Sequence, residues 1–338
     1  MLDDTLVFIN NAIQKIRDQV GTAHVVAGTS GGVDSTVCAV LTQAAIGLSQ
    51  MHPVFIDTGL MRKDEAVWVE NHLRRLFGKQ LTMINAEALF LHNLAGVTNP
   101  ESKRYIIGHT YIQVFENAIR GLPTPPTFLL QGTIAPDVIE VENGIKTHHN
   151  TGGLPEKMNL KLLEPVRDLF KLEVRKVAEA LGIEEDITLR QPFPGPGLAV
   201  RCLRPVTKER LDKLRTADAI FNDTILEYGM EHMIEQSFAV LLPLLSTGIV
   251  DGARAYGETI ALRAIHTKDF VTAEWAILPN SLIRTVSHRI TDEIPGINRV
   301  MYDVTDKPPA TDRDYGEKEC DHECDNCEHN EDEKEDIE

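Results

Sequence analysis

Six consecutive residues, Ser30-Gly31-Gly32-Val33-Asp34-Ser35, put two flexible glycines, two hydroxyls and a carboxylate into one short turn of chain. The apolar run 24–27 ahead of them reads as a short buried strand, and 36–41 behind them reads as the start of a helix. A strand that passes through paired glycines into a helix presents backbone N–H groups at a positive helix end, which is a recipe for holding phosphate. The glycines let the anion approach the backbone, and Ser30 and Ser35 add hydroxyl donors. Unlike the phosphate loop that ends in Gly-Lys-Ser/Thr, this one carries no lysine to draw on a terminal phosphate. Gly28, Ser30, Gly31, Gly32, Val33, Asp34 and Ser35 form the first part of the expected phosphate-binding set.

The elements that must position this loop follow from periodicity. Leu2, Leu6, Ile9, Ile13, Ile16 and Val20 recur at steps of four and three, which is one face of a helix. Strands are read at 52–56, 81–84 and 127–130, with helices at 64–76 and 101–119 between them. Strands alternating with helices predict an α/β fold, a doubly wound parallel sheet covered on both faces. Ligands in such sheets sit beyond the carboxyl ends of the strands. Three strand ends then offer polar or glycine-rich sequence to one crevice: the 30–35 loop, Asp57-Thr58-Gly59-Leu60, and Gln131-Gly132-Thr133 with Asp137 beyond it.

Lys146 follows in a glycine-bracketed loop, 144–155. Facing the phosphate pocket, it could neutralise phosphate charge while the loop excludes water. Composition alone also fits a solvated surface lysine. His148 and His149 are adjacent and point apart on any regular element, which argues against a two-histidine metal site. The Pro-Gly steps at 192–197 interrupt any helix or central strand and mark a boundary near residue 190. Beyond it a helix (207–227), β-rich sequence (236–265), a helix (280–293) and a strand (299–304) predict a smaller α+β unit. The expected division is 1–190, 191–311 and a tail, 312–338.

The chain has 338 residues, 42% hydrophobic, enough for a sizeable core in two domains. No run of about twenty apolar residues occurs and the acidic N-terminus has no signal-peptide layout, so a cytoplasmic protein without membrane or nucleic-acid contacts is expected. The net charge of −17 is uneven: residues 317–338 hold twelve acidic residues against two lysines, leaving about −7 for the rest. A local basic pocket is therefore compatible with the acidic total. Cys38 and Cys202 lie in apolar surroundings and read as buried thiols.

The Ser-Gly-Gly-Val-Asp-Ser string resembles the PP-loop of ATP pyrophosphatases (a HUP-like fold). Together with Asp57-Thr58-Gly59-Leu60, the 131–137 and 146–155 segments, Phe193-Pro194-Gly195-Pro196-Gly197-Leu198 and Lys307-Pro308-Pro309, it occurs in the order and spacing of the ATP-pyrophosphatase part of GMP synthetase. The resemblance runs from about residue 1 to 311. It implies ATP with Mg²⁺ on Asp34, Asp34 and Lys146 in catalysis, and adenine near Asp57, Leu60, Gly132 and Thr133. It further implies adenylylation of the 2-oxygen of xanthosine monophosphate (XMP) and displacement of AMP by ammonia. Arg104, Gln236 and Lys307 match positions that hold XMP, and their chemistry suits a phosphate and a purine edge. The second unit would supply a homodimer contact. By resemblance to the two-subunit form, a separate glutamine amidotransferase would supply ammonia.

Three departures fall on the acceptor side. Asp312-Arg313 replace an Ile-Glu pair, Asp251 is displaced by one position within 248–256, and Gln191 stands where the family has histidine. A one-residue move in β-type sequence sends a side chain to the opposite face. Cys320, Cys324 and Cys327, with His322 and His329, could ligate Zn²⁺ or a three-cysteine iron–sulfur cluster, or form part of a solvated acidic tail. Two alternatives therefore stay open: a PP-loop sulfur-transfer enzyme or one with a different acceptor, and a nucleotide-binding regulator without catalysis.

Overall fold

The computed structural model describes residues 2–142, 160–188, 190–191, 193–250, 252–267 and 272–310. Helix α1 (Leu2–Val20) leads into β1 (Val25–Gly28), α2 (Val33–Ile46), β2 (Met51–Asp57), α3 (Glu65–Phe77) and β3 (Thr82–Asn85). Then come α4 (Glu87–Asn93), α5 (Pro100–Arg120), β4 (Phe128–Leu130), α6 (Ala135–Glu142), β5 (Lys161–Leu163), α7 (Lys171–Ala180) and a short α8 (Glu185–Thr188). Five strands pair in the order β3-β2-β1-β4-β5, every pair parallel. The order reverses direction between β1 and β4, so a crevice opens there at the carboxyl edge. The doubly wound parallel sheet expected from the alternation of strands and helices is present.

Period-2 alternation sorts the strands between two cores. Val25 and Ala27 face α1, α2, α3 and α7, while Val26, with Val54, Ile56 and Leu129, faces α4 and α5. The second core does not stop at α5. It runs on through Leu198 and Cys202 to helix α9 (Lys208–Glu227) and to a second sheet. That sheet contains β6 (Gln236–Val250), β7 (Ala253–His266), β8 (Glu274–Trp275) and β9 (Ile297–Tyr302), with α10 (Asn280–Glu293) packed against it. Its β6-β7-β8 path is antiparallel, and β9 joins β7 in parallel. This is the smaller α+β unit expected from the sequence. Cys38 and Cys202 are buried free thiols; burial pushes both thiols up from their ordinary range, so they act as packing. Among the described residues no helix is long and apolar enough to cross a membrane.

Boundaries differ from the sequence reading mainly at strand ends. The 299–304 strand begins earlier, at Ile297, because residue 296 is a glycine at φ +82 that turns the chain into it. Strand β5 and helix α7 have no counterpart in the sequence reading. A three-residue strand paired along one edge is too short for periodicity to register.

Lys103 on α5 couples the two sheets. Its side chain is 2% exposed and its ammonium donates to the carbonyls of Ala199 (3.2 Å), Cys202 (2.7 Å) and Arg204 (2.7 Å). Arg204 sits at φ +63, a conformation that needs such external support. Burial lowers Lys103 from 10.5 to about 8. Between those values the unfolded chain keeps a proton that the folded chain has released, so this group makes stability rise with pH across that window. The displacement is worth on the order of 3 kcal/mol. The stability difference between the parent protein and Lys103→Met is therefore expected to grow in favour of the parent from about pH 8 to 10, read by denaturant unfolding. A pH-independent difference would remove this account.

Candidate functional site

The loop after β1 is shaped by contacts that leave no room for a side chain. Gly31 has φ +75, and a Cβ there would lie 2.6 Å from both methyl carbons of Val69. Gly132, leaving β4, passes over the first turn of α2: a Cβ would lie 2.9 Å from the Ser35 nitrogen and 3.0 Å from the Asp34 carbonyl carbon. The two strand ends at the reversal point are thus pressed together through glycine. Ser35 Oγ (3.0 Å) and Thr36 Oγ1 (2.9 Å) both donate to the Gly32 carbonyl, folding the turn onto the helix start. Ser30 Oγ accepts from Gly32 N at 3.3 Å and stands 3.1 Å from Ser35 Oγ.

Helix α2 begins without a side-chain cap: Gly32 stands at its N-cap position. Helices α3, α4 and α10 also start without a side-chain cap, so what sets α2 apart is its place at the β1/β4 reversal; α5 and α9 are capped. Asn99 caps α5 by accepting from Glu101 N (2.9 Å) and Ser102 N (3.0 Å), and Thr207 caps α9 by accepting from Arg210 N (3.2 Å). A helix start with open N–H groups keeps its positive end for an anion.

Asp34, in the first turn of α2, pairs with the Lys171 ammonium at 2.5 Å through Oδ2. Its Oδ1 is buried and accepts no hydrogen bond among the described residues. Lys171 opens α7 and arrives from 137 residues away, supplying the lysine that the loop itself lacks. Its position in space has no local signal in the sequence.

A cavity of about 290 Å³ adjoins these groups. Gly28, Ser30, Gly32, Asp34, Ser35, Gly132 and Asp137 line it, so seven of the expected nucleotide-binding residues share one wall. Asp137 also accepts from Ile134 N at 3.2 Å. Sequence reasoning missed Tyr111 and Phe115, which close the cavity from α5. Four residues apart on a helix, they are neighbours on one face, a spacing visible in the sequence. Burial raises the Tyr111 phenol to about 12, so its hydroxyl keeps its proton at neutral pH.

Other expected residues lie elsewhere. The backbone of Gly31 and Val33 belongs to the turn, but the Val33 side chain is in the core. Asp57 accepts from Gly59 N at 2.9 Å and shapes the turn after β2. Leu60 is buried, with its carbonyl accepting from Leu198 N at 2.7 Å. Thr133 is buried beside Gly132. Arg104 stands on α5 seven residues before Tyr111, two turns away on the same face. Gln236 opens β6 and is buried. Lys307 pairs its backbone with Ala273. These last three are not part of the cavity wall. Gln191 accepts from Ser237 N at 3.2 Å through its amide oxygen. Lys146, Asp251, Asp312, Arg313, Cys320, Cys324 and Cys327 lie outside the described residues. Among the described residues no group of three or more His, Cys, Asp or Glu could hold a metal.

Arg190 braces the turn from behind. It donates to the Gly31 carbonyl at 3.1 Å, pairs with Glu65, and lies 5.6 Å from the centre of the Trp68 ring. Burial, with Arg62 nearby, lowers it to about 10, still a cation at neutral pH.

Comparison with known proteins adds to this geometry. Residues 4–88 match the family model described as NAD synthase, and residues 223–312 match the GMP synthase C terminal domain. The chain is 52% identical over 310 residues to a GMP synthase (glutamine-hydrolyzing) of Chlorobaculum tepidum. Relatives of the same name in Chlorobium chlorochromatii and Aquifex aeolicus are 51% and 50% identical. Each alignment covers 90% of this chain but only 59–60% of the relative. The resemblance to the ATP-pyrophosphatase part of GMP synthetase, read from separate motifs, thus extends over most of the chain.

Proposed function

We propose that this chain is an ATP-dependent, carbon–nitrogen bond-forming ligase that adenylylates XMP, releases diphosphate, and aminates the intermediate to GMP. The observation that carries the reading is the uncapped start of α2 at the β1/β4 reversal, with Asp34 and Lys171 beside it. It is supported by the relatives' shared name and by the match of residues 223–312 to the GMP synthase C terminal domain.

The chemistry follows from the groups present. The open N–H groups of α2 and the 30–35 turn take the phosphates of ATP, and Tyr111 and Phe115 supply the apolar wall beside Gly28. The XMP 2-oxygen attacks the α-phosphorus; the bond to the β-phosphate oxygen breaks and diphosphate leaves. Ammonia then attacks C2, and AMP departs with the former 2-oxygen. Helix amides and the Lys171 ammonium stabilise charge on the leaving diphosphate, and we assign Lys146 the same task. Asp34 Oδ1, buried with no donor among the described residues, is an oxygen that would suit a Mg²⁺ ion. When bound, that ion would supply charge neutralisation on the phosphates. Arg104, Gln236 and Lys307 are our candidates for holding XMP, with the unit boundary near residue 190.

The relatives are named as glutamine-hydrolyzing and are longer than this chain, which supports a glutamine amidotransferase as the ammonia source. We assign that role to a separate subunit in the cytoplasm. The outer half of the β6–β7 hairpin supports a homodimer. Leu245, Ile249 and Tyr256 are 64%, 80% and 67% exposed there, whereas Phe238 to Leu241 at its base are fully buried. Leu245→Glu with Ile249→Glu is expected to convert a dimer to a monomer in sedimentation while the far-ultraviolet spectrum stays unchanged.

The decisive measurement is product analysis with ATP, XMP and ammonium. AMP, diphosphate and GMP in equal amounts are expected. ADP as the product, or ATP cleavage indifferent to XMP, would refute the assignment.

A further inference from the structure

Arg190 and Gln191 are neighbours in sequence, yet they reach opposite sides of the molecule's two-sheet junction. Arg190 grips the Gly31 carbonyl, while the Gln191 amide oxygen accepts from Ser237 N at the start of β6. A second limb runs in parallel. Glu65, 8% exposed, pairs with Arg190 through one carboxylate oxygen and accepts from Arg62 N at 2.8 Å through the other. The Arg62 guanidinium pairs with the buried Asp218 at 3.1 Å and donates to the Ser237 carbonyl at 3.3 Å. Asp218 in turn accepts from Ala239 N at 3.0 Å. A chain of contacts, two ion pairs joined through the Arg62 backbone amide, thus runs from the Gly31 carbonyl to residues 237–239, beside Gln236.

We propose that Arg190, Glu65 and Arg62 form a positioning relay that transmits nucleotide occupancy of the phosphate loop to the first residues of β6. The inference rests on the functional reading above, in which the loop takes ATP and β6 borders the acceptor. One peptide unit is the input. Arg190 holds the carbonyl of the Gly31–Gly32 peptide, and an anion that takes that peptide's N–H from Ser30 Oγ pulls on its other side. Any rotation of the peptide moves Arg190. Glu65 must follow, since leaving a buried charge unpaired is costly. Its second oxygen carries the shift to Arg62, and the Arg62 fork delivers it to Asp218 and Ser237. The buried carboxylates keep these links in low dielectric, where salt screens them little. None of the three is assigned contact with substrate. Their role is positioning.

The amides of Ser237 and Ala239 are built-in reporters, because each donates to a member of this network. The test is amide hydrogen exchange of the full chain with and without α,β-methylene-ATP, which lacks the bond to be cleaved. In the parent protein the nucleotide is expected to slow exchange both at 30–35 and at Ser237 and Ala239, the latter by about fivefold or more. Arg62→Lys keeps the charge but loses the fork, and Glu65→Gln keeps the shape but loses the charge. Either is expected to retain protection at 30–35 and lose it at Ala239, whose partner Asp218 is held by Arg62, while Ser237 N, bonded to Gln191, reports the untouched Arg190–Gln191 limb. Using both keeps the test valid if one fails to fold. Protection confined to 30–35 in the parent, or full transmission in both variants, would overturn the relay while leaving the nucleotide site intact. Absence of protection at 30–35 would instead refute the nucleotide site itself, and the relay with it.

Discussion

Asp34→Asn is expected to lower the rate of diphosphate release by about 10²- to 10³-fold, with the folded state preserved. Asparagine matches aspartate in shape, so the first turn of α2 keeps its packing. The charge is lost at a carboxylate that joins the helix start to α7. Two consequences follow. Oδ1, buried and without a donor among the described residues, becomes a neutral amide atom and a poor metal ligand. Lys171, 42% exposed, loses its partner at 2.5 Å and can rotate away from the phosphates. Because that pair is partly exposed, the stability change should be small, about 1 kcal/mol or less. Turnover and unfolding should therefore separate: a large fall in the first with little movement in the second. A rate within about threefold of the parent would remove Asp34 from the mechanism.

Gly132→Ala is expected to cost about 100-fold in kcat/KM for ATP and about 1–3 kcal/mol of stability. The added methyl would meet the Ser35 nitrogen at 2.9 Å, the Asp34 carbonyl carbon at 3.0 Å and the Ser35 Cα at 3.2 Å. All three are backbone atoms of α2, so no side chain can swing aside to relieve the contact. The strand end or the helix start must move, and either displaces the amides that would hold the phosphates. Gly108→Ala is the control: it lies in α5 with nothing within 4 Å of the new methyl. There the helix gains about 0.5–1 kcal/mol from the lost backbone freedom. Parallel thermal unfolding and initial-rate measurements would separate a local clash from a general intolerance of alanine.

Gly132 also shows what the sequence could and could not convey. Its membership in the site was legible, because a glycine after a strand at the carboxyl edge belongs near the ligand. Its close approach to α2 was not, since that depends on which strands are neighbours. The phosphate turn, β1 to β4 and the six helices read from the sequence rest on local patterns and were accessible. Lys171, Arg190 and the Arg62–Asp218 pair join residues that are 137, 159 and 156 positions apart. Nothing local marks such contacts. Tyr111 and Phe115 were readable as a helical pair but were not distinguished from ordinary core aromatics, because their neighbours on α5 are equally apolar. Strand β5 escaped because three residues carry too little alternation to define a face.

The core shared by the two sheets bears on how the molecule can be handled. A fragment ending at residue 190 would retain the whole phosphate turn yet leave Phe115, Val114 and Ile107 without Leu198, Cys202 and α9 to cover them. Such a piece would present a greasy slab to solvent and precipitate or stick to chaperones before its affinity for nucleotide could be measured. Any dissection of the nucleotide chemistry is therefore better made by point substitution in the intact chain than by truncation.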